Sequence, residues 1–161
     1  MSRMRNRERL LKKMAALPAA VRSAIRQALA ESADEIVAMQ KRLAPVSKNG
    51  NHGNPPGALR DSITQTWGAR GPAYATLGAG ASGDPDLTVR ITAGNTRVRY
   101  AHLVEFGAKP HTAGGRFKGA QHPGAPAQPF FYPPYRALRR RAKSRINRAV
   151  RKAAREVAAK S

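Results

Sequence analysis

What this chain can fold into is limited most by where its apolar side chains recur. Near the N-terminus Val21, Ile25, Ala28, Leu29, Ser32, Ile36, Met39 and Leu43 follow one another at intervals of three and four residues, the period of one helix face. Leu17-Pro18 precedes the run, and proline is well tolerated in a first helical turn. Pro45 follows it and disfavours helical geometry in the residue before it. The pattern returns from Tyr135 to the end, where Leu138, Ala142, Ile146, Ala149, Val150, Ala153 and Val157 make a narrow stripe in an arginine-rich segment. Two amphipathic helices therefore bracket the middle of the chain, and each needs another element on which to lay its stripe.

The middle has no helical period. Residues 46–57 are rich in Gly, Asn and Pro, which tolerate positive φ or block both helix and ladder, so they predict a long loop. Within 58–106, Leu59, Ile63 and Trp67 predict a strand or a short helix followed by a strand. Tyr74–Leu77 and Leu87–Ile91 are short strand-like runs joined by the turn-rich Gly78–Pro85. Two or three antiparallel strands are expected. His102 and Glu105 are three residues apart with Leu103 and Phe106 on a neighbouring face, which predicts a short helix over Tyr100–Phe106. A second long loop is expected over 107–129. The fold class is thus α+β: a small antiparallel sheet packed with a long N-terminal helix and a basic C-terminal helix, with two long loops. At 161 residues the chain suits one domain, expected over 17–155, after a basic N-terminal arm or helix at 1–16 and before a short tail at 156–161.

Charge restricts the partners. Thirty Lys+Arg against nine Asp+Glu give a formal net charge of +21. Such an excess points to a polyanion or an acidic protein surface. Arg3, Arg5, Arg7, Arg139, Arg140, Arg141, Arg145 and Arg148 are the candidate contacts with DNA or an acidic partner. The C-terminal helix has no aromatic interleaved with its arginines, so any DNA contact should be to the backbone and salt-sensitive. There is no cysteine, hence no disulfide and no thiolate metal site. The histidines, His52, His102, His111 and His122, show no metal-ligand spacing. No phosphate loop, dinucleotide fingerprint or nucleophile elbow is present, and no cofactor is expected. No run approaches the length of a membrane-spanning helix, so no membrane partner is expected.

Three further segments stand out: Pro45-Val46 leading to Gly57-Ala58-Leu59-Arg60-Asp61-Ser62-Ile63, then Tyr100-Ala101-His102-Leu103-Val104-Glu105-Phe106-Gly107, then Ala127-Gln128-Pro129-Phe130-Phe131-Tyr132-Pro133-Pro134. In the second, a carboxylate sits among apolar neighbours, and a buried glutamate without a partner is costly. The arginine excess is the expected source of that partner. A general-base role for Glu105 with His102 lacks a second carboxylate at useful spacing. In the third, prolines fix an extended path, and Phe130 can either pin it to the core or stand out as an anchor for a neighbour.

In this order, and between two amphipathic helices, the three segments resemble the small tail-completion (neck) proteins of long-tailed bacteriophages, a tail-component, virion-morphogenesis family. The resemblance covers about residues 15–155 and departs from the family around 47–56 and 108–126. It implies a structural, non-enzymatic virion protein at the neck or upper tail. Such a protein assembles in the host bacterial cytoplasm as a ring, commonly a hexamer, with connector, terminator and tail-tube proteins as neighbours. It further implies that Leu59, Arg60, Ser62, Tyr100, Glu105, Phe106, Gly107, Gln128, Pro129 and Phe130 are subunit-interface or structural-motif residues. A sequence-independent nucleic-acid-binding protein is the alternative that charge alone suggests.

Overall fold

A computed structural model describes residues 17–50, 53–68, 74–78, 84–115 and 118–159. Helix α1 (Ala19–Leu43) is followed by a short helix α2 (Ala58–Asp61) and strand β1 (Thr64–Trp67). A single 3-10 turn (Pro85–Leu87) leads into strand β2 (Val89–Thr92) and helix α3 (Ala101–Phe106). A small hairpin of β3 (His111–Thr112) and β4 (Gln121–His122) precedes the long helix α4 (Tyr132–Ala158). The fold is α+β, and the described residues form two two-stranded antiparallel sheets, β1–β2 and β3–β4. The candidate DNA contacts Arg3, Arg5 and Arg7, and the expected arm that carries them, lie outside the described residues.

Helix α1 stops where proline demands it. Ala44 has ψ 122°, extended backbone, directly before Pro45, and Lys41 and Arg42 occupy the last turn, where cations favour the helix dipole. Its buried face is Val21, Ala28, Ser32, Ala33, Ile36 and Gln40. At its C-terminal end this departs from the expected stripe: Gln40 is inside and Leu43 is half exposed. The cause is tertiary. The Gln40 side-chain amide donates to the Phe131 carbonyl at 2.8 Å, so the helix turns this face toward the start of α4.

Strands β1 and β2 pair in register from Thr64 opposite Thr92 to Trp67 opposite Val89. The expected third strand at Tyr74–Leu77 reduces to one bridge, Leu77 with Ala93. Tyr74 takes a left-handed φ of 68°, and a strand cannot run through that conformation. The expected loop 107–129 also needs correcting, because it contains the β3–β4 hairpin, extended by a bridge between Ala108 and Ala125. Helix α4 begins at Tyr132, three residues before the expected start, with Pro133 and Pro134 in its first turn.

Two seams hold α1 in place. On one side Arg22 reaches Asp84 and Asp86 at 3.5 and 3.0 Å. Arg26 donates to the Asp86 carbonyl at 2.8 Å and lies 4.4 Å from the centre of the Trp67 ring, a cation–π contact. On the other side α4 crosses α1, with Arg145 donating to the Ser32 hydroxyl and to Glu35, both at 2.9 Å. Arg141 adds a 2.8 Å pair with Glu35. Between the seams lies one core cluster: Ala44, Leu59, Ile63, Leu77, Ala93, Val98, Ala101, Phe130 and Phe131. The three segments singled out in the sequence supply most of its aromatic and branched side chains.

Candidate assembly surface

The second and third segments meet through Glu105. Its side chain is 3% exposed. One carboxylate oxygen accepts the backbone N–H groups of Phe130 and Phe131, each at 2.8 Å, and the other accepts that of Tyr132 at 3.0 Å. This corrects the expected ion pair with an arginine: the partner is the N-terminus of α4. A helix leaves its first four N–H groups without internal partners. Here those four belong to Phe131, Tyr132, Pro133 and Pro134, with Phe131 as N-cap and no local side chain capping it. The two prolines have no N–H to satisfy, and Glu105 takes both remaining donors together with that of Phe130. A negative charge at this end is also favoured by the helix dipole. With its oxygens held this way, Glu105 is placed to anchor α4, while His102 lies exposed on α3.

The rest of the second segment completes the join. The Gln128 N–H donates to the Val104 carbonyl at 2.8 Å, while the Gln128 and Pro129 side chains are exposed. Gly107 ends α3 with φ 76°, and a Cβ there would stand 2.9 Å from both the Ala125 oxygen and the Ala127 nitrogen. Only glycine permits this crossing of two backbones. Phe130 is fully buried, so it pins the segment leading into α4 to the core and is not an exposed anchor.

The first segment joins the same unit. Gly57, with φ 84°, starts α2, and Leu59 on it is buried in the core. The Ser62 hydroxyl donates to the Leu59 carbonyl at 2.7 Å and accepts the Gly94 N–H at 3.1 Å, tying the end of α2 to the exit of β2. Arg60 stays outside, paired with Asp61 at 3.0 Å.

Where the three segments come together the surface is concave. A groove of about 660 Å³ runs between the Pro45–Leu59 region, α3 and the β3–β4 hairpin. Val46, Leu59, Tyr100, Leu103, Val104 and Pro126 line it. Burial in this environment pushes the Tyr100 phenol above its ordinary pKa, because the charged phenolate is disfavoured away from water. His111 and His122 face each other across the hairpin with ring centres 5.0 Å apart and also line the groove. The apolar character continues onto the surface: Val46 is 50% exposed, Leu103 42% and Phe106 64%. The Phe106 ring leans on Tyr132, 5.9 Å away.

The structure divides the predicted residues into two sets. Leu59, Ser62, Glu105, Gly107 and Phe130 build the unit from inside, whereas Tyr100 and Phe106 face the groove or the solvent. Among the basic candidates, Arg141 and Arg145 turn toward Glu35. Arg139 lines a second opening between α1, β2 and α4, and Arg140 and Arg148 point outward. Sequence reasoning missed Val46, Leu103 and Gln40. The first two were legible as apolar residues beside proline and on the outer face of a short helix. Gln40 carried no signal of its own.

A model of the family described as "Bacteriophage HK97-gp10, putative tail-component" matches residues 8–107, more than half of the chain and including the first two segments. No curated protein and no solved structure gives a match.

Proposed function

The chain belongs to the HK97-gp10-like family of bacteriophage tail components, and from that premise we propose that it completes the tail or joins it to the head at the neck. In this role it forms a ring, hexameric like the tail, around the DNA channel, with connector, terminator and tail-tube proteins as neighbours. The protein is structural and belongs in the virion, and the unit that does the work is residues 17–155.

The observation that carries this reading is the convergence of the three segments on one groove lined by Val46 and Leu103, with Phe106 exposed on the same short helix as Leu103. Exposed apolar side chains around a groove on a small domain favour an interaction site, and aromatic side chains are typical of interface centres. Beneath it Glu105 and Ser62 hold the walls through buried hydrogen bonds, and Gly107 lets α3 and residues 125–127 cross closely. A non-enzymatic role belongs to the same reading: the Glu105 carboxylate is occupied by backbone donors.

Deletion of the gene from the phage genome, followed by electron microscopy of the lysate, tests the proposal. DNA-filled heads beside unattached or overlong tails are expected. Complementation with the Leu103→Ser/Phe106→Ser double variant should fail to restore joined particles while the purified variant keeps its helical circular dichroism. Intact, infectious particles from the deletion would overturn the proposal.

A further inference from the structure

The acidic residues show where the positive charge is left over. In the α1 seams, Glu31 and Glu35 take Arg145 and Arg141, and Asp84 and Asp86 take Arg22 and Arg26. Asp61 takes Arg60, Glu156 takes Lys152, Asp34 accepts from Gln65, and Glu105 caps α4. All eight acidic residues in the described part of the chain are thus engaged within it. On the outer side of α4 the one acidic residue, Glu156, lies beyond Arg151, in an opening it shares with Arg148, Arg151 and Lys152, and its ion-pair partner is Lys152. On that side Arg140, Lys143, Ser144, Asn147, Arg148 and Arg151 line one shallow groove of about 330 Å³, and among the described residues none of its four cations has an ion-pair partner.

We propose that this outer ridge of α4 is a binding site for the phosphate backbone of duplex DNA, read without regard to sequence. Three features select that ligand. The groove carries no apolar side chain, whereas a protein interface has an apolar centre. Its hydroxyl and amide donors stand among arginines and a lysine, the side-chain set that contacts phosphate oxygens. It has no aromatic ring on which an unpaired base could stack. From Arg140 to Arg151 the ridge is about 16 Å long at 1.5 Å per residue, a length over which duplex DNA presents about five phosphates per strand. The crossing of the helices sets the geometry: Arg141 and Arg145 are drawn to α1, which leaves the face of Arg140, Ser144, Asn147 and Arg151 outward.

The site deepens the DNA-channel part of the neck reading, yet it is tested on the isolated full-length protein. Fluorescence anisotropy with a labelled random 30-bp duplex, between about 50 and 200 mM salt, gives the slope of log K against log salt. Four phosphate contacts contribute about −3.6 to that slope. The Arg140→Gln/Lys143→Gln/Arg148→Gln/Arg151→Gln variant should therefore flatten it by about that amount and lose at least about tenfold in affinity at 100 mM salt. A control with the same charge change elsewhere, Arg42→Gln/Lys48→Gln/Arg97→Gln/Lys109→Gln, should leave most of both. Equal losses in the two variants would show diffuse attraction and overturn the site, as would absence of duplex binding by the parent protein. Poly-glutamate that displaces the duplex as well, charge for charge, would make the ridge a surface for acidic protein and overturn the DNA assignment. A failed binding test beside a positive deletion phenotype refutes the ridge and leaves the neck reading standing.

Discussion

Replacing Glu105 by alanine would leave three backbone donors without acceptors at the start of α4. Phe130 is fully buried and Phe131 nearly so, and neither prolines nor any local side chain can take over the cap. An orphaned buried donor costs about 1–3 kcal/mol. The three donors share one neighbourhood, so the losses should not add fully, and about 4 kcal/mol is expected. Glu105→Gln tests the charge separately. Its single carbonyl oxygen can keep the two 2.8 Å bonds from Phe130 and Phe131, but its NH2 group then confronts the Tyr132 N–H. One bond and the interaction with the helix dipole are lost, for about 2 kcal/mol. Against a whole-domain stability of about 5–15 kcal/mol, either loss is measurable by urea unfolding, followed through helical circular dichroism and the fluorescence of Trp67, the chain's one tryptophan. The midpoint should fall at constant m-value, and amide exchange at residues 130–132 should rise first. Costs under about 0.5 kcal/mol for Gln and under about 1 kcal/mol for Ala would refute the cap, since even one orphaned buried donor costs at least about 1 kcal/mol.

Two other changes probe the frame around the groove. Arg145→Ala and Glu35→Ala, combined in a double-mutant cycle, should show a coupling of about 1 kcal/mol. Their side chains are 21% and 27% exposed and meet at 2.9 Å, and additive effects would mean that this pair contributes nothing to the seam. Gly107→Ala forces a Cβ into a backbone crossing at positive φ and should cost about 1–3 kcal/mol, seen as a fall in melting temperature of at least about 2 °C. An unchanged melting temperature would show that α3 and residues 125–127 can separate freely.

Local patterns made some of this protein legible without its structure. The period of Val21 to Ile36, the stop at Pro45 and the stripe from Leu138 to Val157 each involve neighbours three or four residues apart, so the two long helices and the α+β class were readable. So was the short helix at Tyr100–Phe106, and so was the need of Glu105 for a partner, because burial of a lone carboxylate is costly wherever it occurs. The identity of that partner was not readable, since the donors lie 25 to 27 residues away and become available only because prolines vacate the other positions of the cap. The β3–β4 hairpin escaped notice for a related reason: two-residue strands in a Gly- and Pro-rich segment have no alternation, and only pairing reveals them. Gln40 carries no local signal of burial, and only the fold brings the Phe131 carbonyl within reach of its amide. The arginines of α4 are alike by composition, and the crossing with α1 alone decides which of them are neutralised by Glu31 and Glu35 and which face outward. Sequence determined the elements and the sign of the charge, because those depend on near neighbours and on counting. Tertiary structure decided the cap, the groove and the direction of the charge, because each depends on groups that only the folded chain brings within hydrogen-bonding or ion-pair distance.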